Sequence, residues 1–191
     1  MQKRSLAPQR GFFPQPSYLI GTFKDDGTPN FALITWITFC SDNPPTIMFA
    51  SRGKKLTREL VEKKGLFSVN LVTTKMMYMA DYFGNTSGYE KNKCEDIGIK
   101  YEKGKVLNVP VLEESPWIYE CSLVETIVLN GGYGYIGEIK NMLVDEAIED
   151  TTYGEIDMAT IDPLIYAPGK YYKIAASIGS VGDSKNIQFK E

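Results

Sequence analysis

Histidine is absent from the 191-residue chain, which removes Ser/His/Asp and Cys/His nucleophile pairs and the commonest transition-metal ligand. No catalytic hydrolase pair of those kinds and no metal site are expected. The three cysteines, Cys40, Cys94 and Cys121, are odd in number, widely spaced and without a CxxC. They support neither a disulfide framework nor a zinc knuckle, and they fit a reducing cytosol. A basic excess is also missing: 21 Lys+Arg stand against 24 Asp+Glu, a formal charge of −3. A nucleic-acid partner is therefore not expected, although a local basic patch can still hold one small anion. No apolar run reaches the length of a membrane span, and the opening MQKRSLAPQRGFFPQPS has Pro and Gln where a secretory leader has an apolar stretch. The expectation is a cytoplasmic chain with no membrane partner. What is present is ordinary globular composition, 43% hydrophobic and 24% charged, at a length that predicts one domain over residues 1–191. Twelve Tyr, nine Phe and two Trp favour β structure and a surface suited to a flat ring.

Along the chain, YLIGTF (Tyr18 to Phe23), the reversal DDGTPN and the run FALITWITF predict a β-hairpin. Asn43-Pro44-Pro45 breaks the chain before the strand-like TIMFAS. KKLTRELVEKKG places Leu56, Leu60 and Val61 on one side and Gly65 where a helix ends, which predicts a two-turn helix. LFSVNLV resumes strand character. Met76, Met79, Ala80 and Phe83 then mark a second helix, capped by Thr73 or Thr74 and ended by Gly84. Residues 85–116 predict a long excursion with at most short helices. WIYECSLVETIVL and YGYIGEIKNMLV read as two long antiparallel strands around an Asn130-Gly131-Gly132 turn. The aromatic, Gly-rich tail from about residue 163 to 191 is expected to pack on the body or on a partner subunit. Six or seven strands joined mainly by turns predict a mainly β chain with inserted α, an antiparallel barrel rather than a doubly wound nucleotide fold.

Two stretches carry candidate chemistry. In Ala50-Ser51-Arg52-Gly53-Lys54-Lys55-Leu56-Thr57-Arg58 a strand end passes through a basic loop into a helix N-terminus. Free amides, the helix dipole, hydroxyls and cations converge there, which suits a terminal phosphate. A solvated basic loop leading into an ordinary helix accounts for the pattern equally well, and it is not a Walker A loop, because Met48 stands where the first glycine belongs. In Leu33 to Cys40, two threonines and Trp36 lie on a strand rich in large side chains. Strand-edge amides and hydroxyls can bond the rim of a planar heterocycle while Trp36 covers a face. Trp36 as a core residue and Cys40 as a small buried hydrophobe are the competing readings.

Five segments taken in order, PSYLIGTFKDDGTPNFALITWITFCSDNPP, ASRGKKLTRELVEKKGLFSVNL, ADYFGNTSGYEKNK, IYECSLVETIVL with YIGEI, and PLIYAPGKYY, resemble the flavin reductase-like FMN-binding split-barrel family, in its flavoredoxin-like branch. The resemblance implies a homodimer of six-stranded antiparallel Greek-key barrels with FMN in a groove at or near the subunit interface. It implies the flavin ring against Thr35, Trp36, Ile37 and Thr38, and the phosphate on Ser51, Arg52, Lys54 and Thr57. It places Asn70 on the ring or ribityl side, and Ser87, Gly88, Lys91 and Tyr166 in the groove wall. It further implies an FMN-dependent oxidoreductase or electron-transfer protein with no protein catalytic residue, since the flavin carries the chemistry. A flavin store or sensor without turnover is the alternative. One departure stands out. Many relatives carry a histidine in the turn that here reads Asn130-Gly131-Gly132-Tyr133-Gly134, so Tyr133 or Tyr135 takes that space. NAD(P)H and a small redox protein are left as equal candidates for the electron donor.

Overall fold

The computed structural model describes residues 2–11, 13–167 and 169–186. After a two-residue strand β1 (Gln15–Pro16), the predicted hairpin forms from β2 (Tyr18–Phe23) and β3 (Pro29–Ile34). It turns at Gly27, whose φ of 80° is open to glycine without a Cβ penalty. The expected single run FALITWITF does not hold as one strand. The chain bends at Thr35-Trp36, and Ile37–Asp42 forms a separate strand β4, paired with β5 (Pro45–Ser51).

The next elements are helix α1 (Leu56–Lys64), strand β6 (Leu66–Leu71), helix α2 (Met77–Asn85) and the short helix α3 (Lys93–Asp96). A small ladder of β7 (Tyr101–Lys103) with β8 (Pro110–Leu112) follows, which the weak patterning of residues 85–116 did not predict. The long hairpin strands are β9 (Trp117–Leu129) and β10 (Gly132–Val144). The chain then runs through a one-turn helix α4 (Met158–Ile161) into β11 (Ile165–Ala167) and β12 (Lys170–Tyr172), which join β1 in a three-stranded sheet. That sheet holds residues 165–167 and 170–172 against β1, while residues 173–185 are exposed; residues 168 and 187–191 of the predicted tail lie outside the described residues.

The main sheet has seven antiparallel strands, not six, in the order β3-β2-β6-β9-β10-β5-β4. The extra one is β4, produced by the bend at Trp36. Its two edge strands are consecutive in sequence. Laid flat, six inter-strand spacings would part the edges by about 29 Å, whereas the step from Ile34 to Ile37 reaches at most about 11 Å. The sheet must therefore roll up until its edges meet, and it closes as a barrel with a seam between β3 and the β5–β4 pair. The Ala50 N–H donates to the Trp36 carbonyl at 2.8 Å, which carries the β4–β5 ladder back to the bend.

Both faces of the rolled sheet are covered, which is why YLIGTF is apolar without alternation. Ile20, Phe49, Phe67, Val69 and Tyr135 meet in one core with Val61 of α1. Leu19, Phe31, Ala80, Phe83 and Leu112 meet in a second under α2. Gly137 of β10 sits where an added Cβ would lie 2.3 Å from Phe67 Cζ, so the absence of a side chain there lets the barrel pack tightly. Cys40, expected to be buried, is exposed on the edge strand β4, with its thiol 3.1 Å from Thr46 Oγ1.

Candidate functional site

The seam of the barrel is not zipped along its whole length. Between β3 (Asn30 to Ile34) and the end of β5 (Phe49, Ser51) a cavity of about 200 Å³ opens to solvent. Its other walls are the loop and first turn of α1 and the end of α2 with the loop that follows.

The α1 wall has a chemistry that helix stability alone does not explain. The helix starts at an extended Lys55 with no side-chain cap on its first amides, and Arg58 occupies the third helical position, where a capping box would place Glu or Gln. Lys55 and Arg58 at this end oppose the helix dipole, which Glu59 of the same turn favours, and the uncapped amides are free to meet an anion. Among the side chains lining the cavity are Lys54, Lys55, Arg58 and Lys93, with no Asp or Glu. Thr57 is buried; its hydroxyl accepts from Asn30 Nδ2 at 2.8 Å, which leaves its own proton to donate.

Each of three cations is held in place. The Arg58 guanidinium lies 4.1 Å above the Tyr133 ring and donates from Nη1 to the Gly53 carbonyl at 2.9 Å. Its buried Nε has no hydrogen-bond partner, and Glu62 Oε1 stands 3.6 Å away. Lys54 Nζ lies 5.1 Å over Tyr89, a phenol pushed up to about 12 by burial and by its bond to Glu59. Lys93 is 5% exposed, and its ammonium donates to the Phe83 carbonyl at 3.1 Å. Burial presses its pKa down to about 8, and Lys55 and Lys24 push in the same direction against Cys94. A buried ammonium with so little compensation is costly until an anion joins it.

Close approach matters on the opposite wall. A Cβ on Gly88 would come within 2.6 Å of Asn30 Oδ1 and 3.1 Å of Leu56 Cδ2. The backbone of the 86–89 loop can lie against the Asn30–Thr57 corner because residue 88 is glycine.

Of the residues singled out in the sequence, Ser51, Lys54, Thr57, Ser87 and Gly88 line this cavity together. Thr35, Trp36, Ile37 and Thr38 follow Ile34 in the chain but are not part of the cavity lining; Trp36 is half-buried and Thr38 exposed. Arg52 is exposed beside Ser51, outside the lining. Lys91 is exposed, and its near neighbour Lys93 is the lysine that enters the cavity. Asn70 is buried elsewhere: it donates to the Leu19 carbonyl and Ser68 Oγ and accepts from the Leu112 N–H, tying β6 to β2 and β8. Tyr166 lies on β11, edge-on to Tyr171 at 5.9 Å. Sequence reasoning included Arg58 in the basic stretch without giving it a role of its own, and passed over Asn30, Tyr89 and Lys93. Asn30 had a signal, a lone amide at the head of an apolar strand; the lysine choice within YEKNK had none.

Among the described residues no cluster of Cys, Asp or Glu is arranged to hold a metal ion, and no helix is long and apolar enough to cross a membrane. The site sets cations and the uncapped start of α1 beside aromatic and aliphatic surface.

These features fall within a known lineage. The family model described as Flavin reductase like domain matches residues 10–175, and the chain belongs to that family. The structure is similar to the flavoredoxin of Desulfovibrio vulgaris (Miyazaki F), 27% identical with a TM-score of 0.87 over 96% of this chain and 100% of that one. It is similar also to a flavoredoxin from Methanosarcina acetivorans, 25% identical with a TM-score of 0.85 over 96% and 99% of the two chains. By sequence it is 25% identical over 162 residues to an uncharacterized protein of Aeropyrum pernix, covering 82% of this chain but only 60% of that relative's length.

Proposed function

We propose that the chain is an FMN-binding flavoprotein that transfers electrons, as a flavin reductase or a flavoredoxin-like carrier. The observation that supports this most directly is the seam cavity, where an uncapped helix N-terminus, the Thr57 hydroxyl and an all-cationic charged lining converge. A phosphate monoester, with about −1.5 to −2 charges near neutral pH, satisfies that set. At about 200 Å³ the cavity is smaller than the roughly 300–1,000 Å³ that encloses a drug-sized ligand. It therefore holds part of a flavin nucleotide, with the ring extending along the adjoining Thr35–Thr38 segment. The residues present fit the group: Ser51, Lys54 and Thr57 for the phosphate, Lys93 and Arg58 as further cations, Trp36 and its neighbours for the ring. When bound, the isoalloxazine supplies the capacity to accept hydride or electrons. The protein binds and orients it, and its cations favour the ligand's more negative form.

Two further parts of the reading concern partners. Ile178 and Val181 of the tail are almost fully exposed, which supports a homodimer in which a second copy covers them. The donor is NAD(P)H or a small redox protein, and the three free cysteines suit a reducing compartment such as the cytoplasm. Denaturing the purified protein and chromatographing what is released tests the cofactor, and anaerobic addition of NADH, NADPH, dithionite or a reduced ferredoxin tests the donor. FMN in the supernatant and its bleaching by one donor are expected. No released flavin, and no binding when FMN is supplied, overturns the proposal.

A further inference from the structure

Of the cations lining the cavity, Lys93 is the one that is fully buried, and its own fold leaves it only partly satisfied. Lys93 begins α3, packs under the end of α2, and is buried to 5% exposure with its ammonium lining the cavity. An ammonium has three donors, and the Phe83 carbonyl at 3.1 Å is the acceptor found for Lys93 Nζ, with the Phe83 ring centroid 5.2 Å away. No carboxylate faces it from the cavity walls. β3 presents the neutral Asn30 and Leu33; α1 and its loop present Lys54, Lys55 and Arg58; the 86–89 loop presents Tyr89. Lys24 and the neighbouring Cys94 complete its titratable surroundings. An uncompensated ammonium in such a site sheds its proton more readily than one in water, and it takes the proton back when a negative group arrives.

We infer that filling of the seam cavity is coupled to protonation of Lys93, so that in alkaline solution an anionic ligand enters together with a proton from solvent. The inference rests on the flavin reading of the same site and adds its regulation. In atoms, the neutral amine of Lys93 gains one proton from buffer and becomes an ammonium beside the ligand; no electron moves. Its window is set by the empty-cavity value of about 8. Tyr89, at about 12, and Cys94, held near 11 chiefly by burial, titrate above it. The second ionisation of a phosphate monoester, near pH 6, lies below it.

Isothermal titration calorimetry of the full chain with FMN, run in buffers of different ionisation enthalpy, measures the coupling as protons taken up per ligand bound. With a free-state value of about 8, about 0.7 of a proton is expected at pH 8.5 and about 0.1 at pH 7, and the apparent Kd rises about 30-fold between pH 7 and 9.5. Lys93→Met removes the uptake and weakens binding at pH 7. Lys93→Arg, charged throughout, removes the uptake and flattens the dependence of Kd on pH between 7 and 9.5, which separates charge from packing; circular dichroism and Tm identify any variant that fails to fold. Binding by the natural chain with uptake near zero at pH 8.5, or uptake that survives in Lys93→Met, overturns the inference while leaving the flavin reading intact. Absence of FMN binding at every pH overturns both.

Discussion

Thr57 concentrates two roles in one hydroxyl. It accepts the Asn30 amide proton inside the protein and offers its own proton to the cavity. Thr57→Val keeps the shape, removes both bonds and strands a buried Asn30 donor, at a cost of about 1–3 kcal/mol. Chemical denaturation is expected to show that loss, and FMN affinity is expected to fall at least tenfold. Thr57→Ser is expected to recover most of both. Gly88 gives a complementary prediction. In Gly88→Ala the new methyl would meet Asn30 Oδ1 at 2.6 Å, and Asn30 cannot retreat without giving up Thr57. FMN titration is expected to show weaker binding with a thermal midpoint only a few degrees lower. Equal affinity in the two proteins would show that the 86–89 loop does not shape the site.

At the scale of elements, α1 gives up local stability for its charge arrangement. Lys55 fills the N-cap position without bonding any first-turn amide, where Ser or Asp would contribute about 0.5–2 kcal/mol. Lys55→Ser is therefore expected to raise the Tm of the flavin-free protein and to weaken FMN binding, opposite signs from one substitution. A lower flavin-free Tm would remove the argument. The β9 strand shows how a buried charge can be structural instead. Glu120, fully buried, accepts from the N–H groups of Lys105, Val106 and Leu107 and from Asn141 Nδ2, pinning the loop before β8 to the barrel. Burial pushes its pKa up, but the bonds from Leu107, Asn141, Val106 and Lys105 outweigh it and hold the carboxyl below its ordinary 4.5. A depressed carboxylate stabilises the fold above its ordinary value and loses that contribution as pH falls through the lowered one. The Tm of the natural chain is thus expected to drop more steeply on acidification below about pH 5 than that of Glu120→Gln, which starts lower at neutral pH.

For the whole molecule, closure of the barrel is the event on which the site depends. Gly137→Val would drive a side chain into Phe67, two strands away on the same core face of the sheet, an overpacking worth about 1–3 kcal/mol. Because the cavity is a gap between barrel edges, FMN affinity is expected to fall with the fold. Added FMN at about 100 times its Kd would stabilise the natural chain by about 2.7 kcal/mol, or about 5 to 11 °C in Tm at this size. Differential scanning fluorimetry with riboflavin as the comparison shows how much of that shift needs the phosphate.

What the linear chain determined by itself is local chemistry with a period or a punctuation mark: the hairpin at Gly27, the Gly65 helix end, the long β9–β10 hairpin, and the basic loop that runs into a helix. Those features follow from φ preferences, alternation and charge carried within a few residues. Ser51, Lys54 and Thr57 could be picked out because they share one such loop. The tertiary structure alone decided the rest. Nothing in FALITWITF says that a bend at Trp36 sends its halves to opposite edges of a sheet, because that depends on where a rolled sheet must close. The same closure brings Asn30 and Lys93 to Thr57 from 27 and 36 positions away, and buries Lys93 while Lys91 stays in water. Proximity across a seam and the loss of solvent that comes with it belong to the packed barrel, since no single segment contains both walls of the cavity.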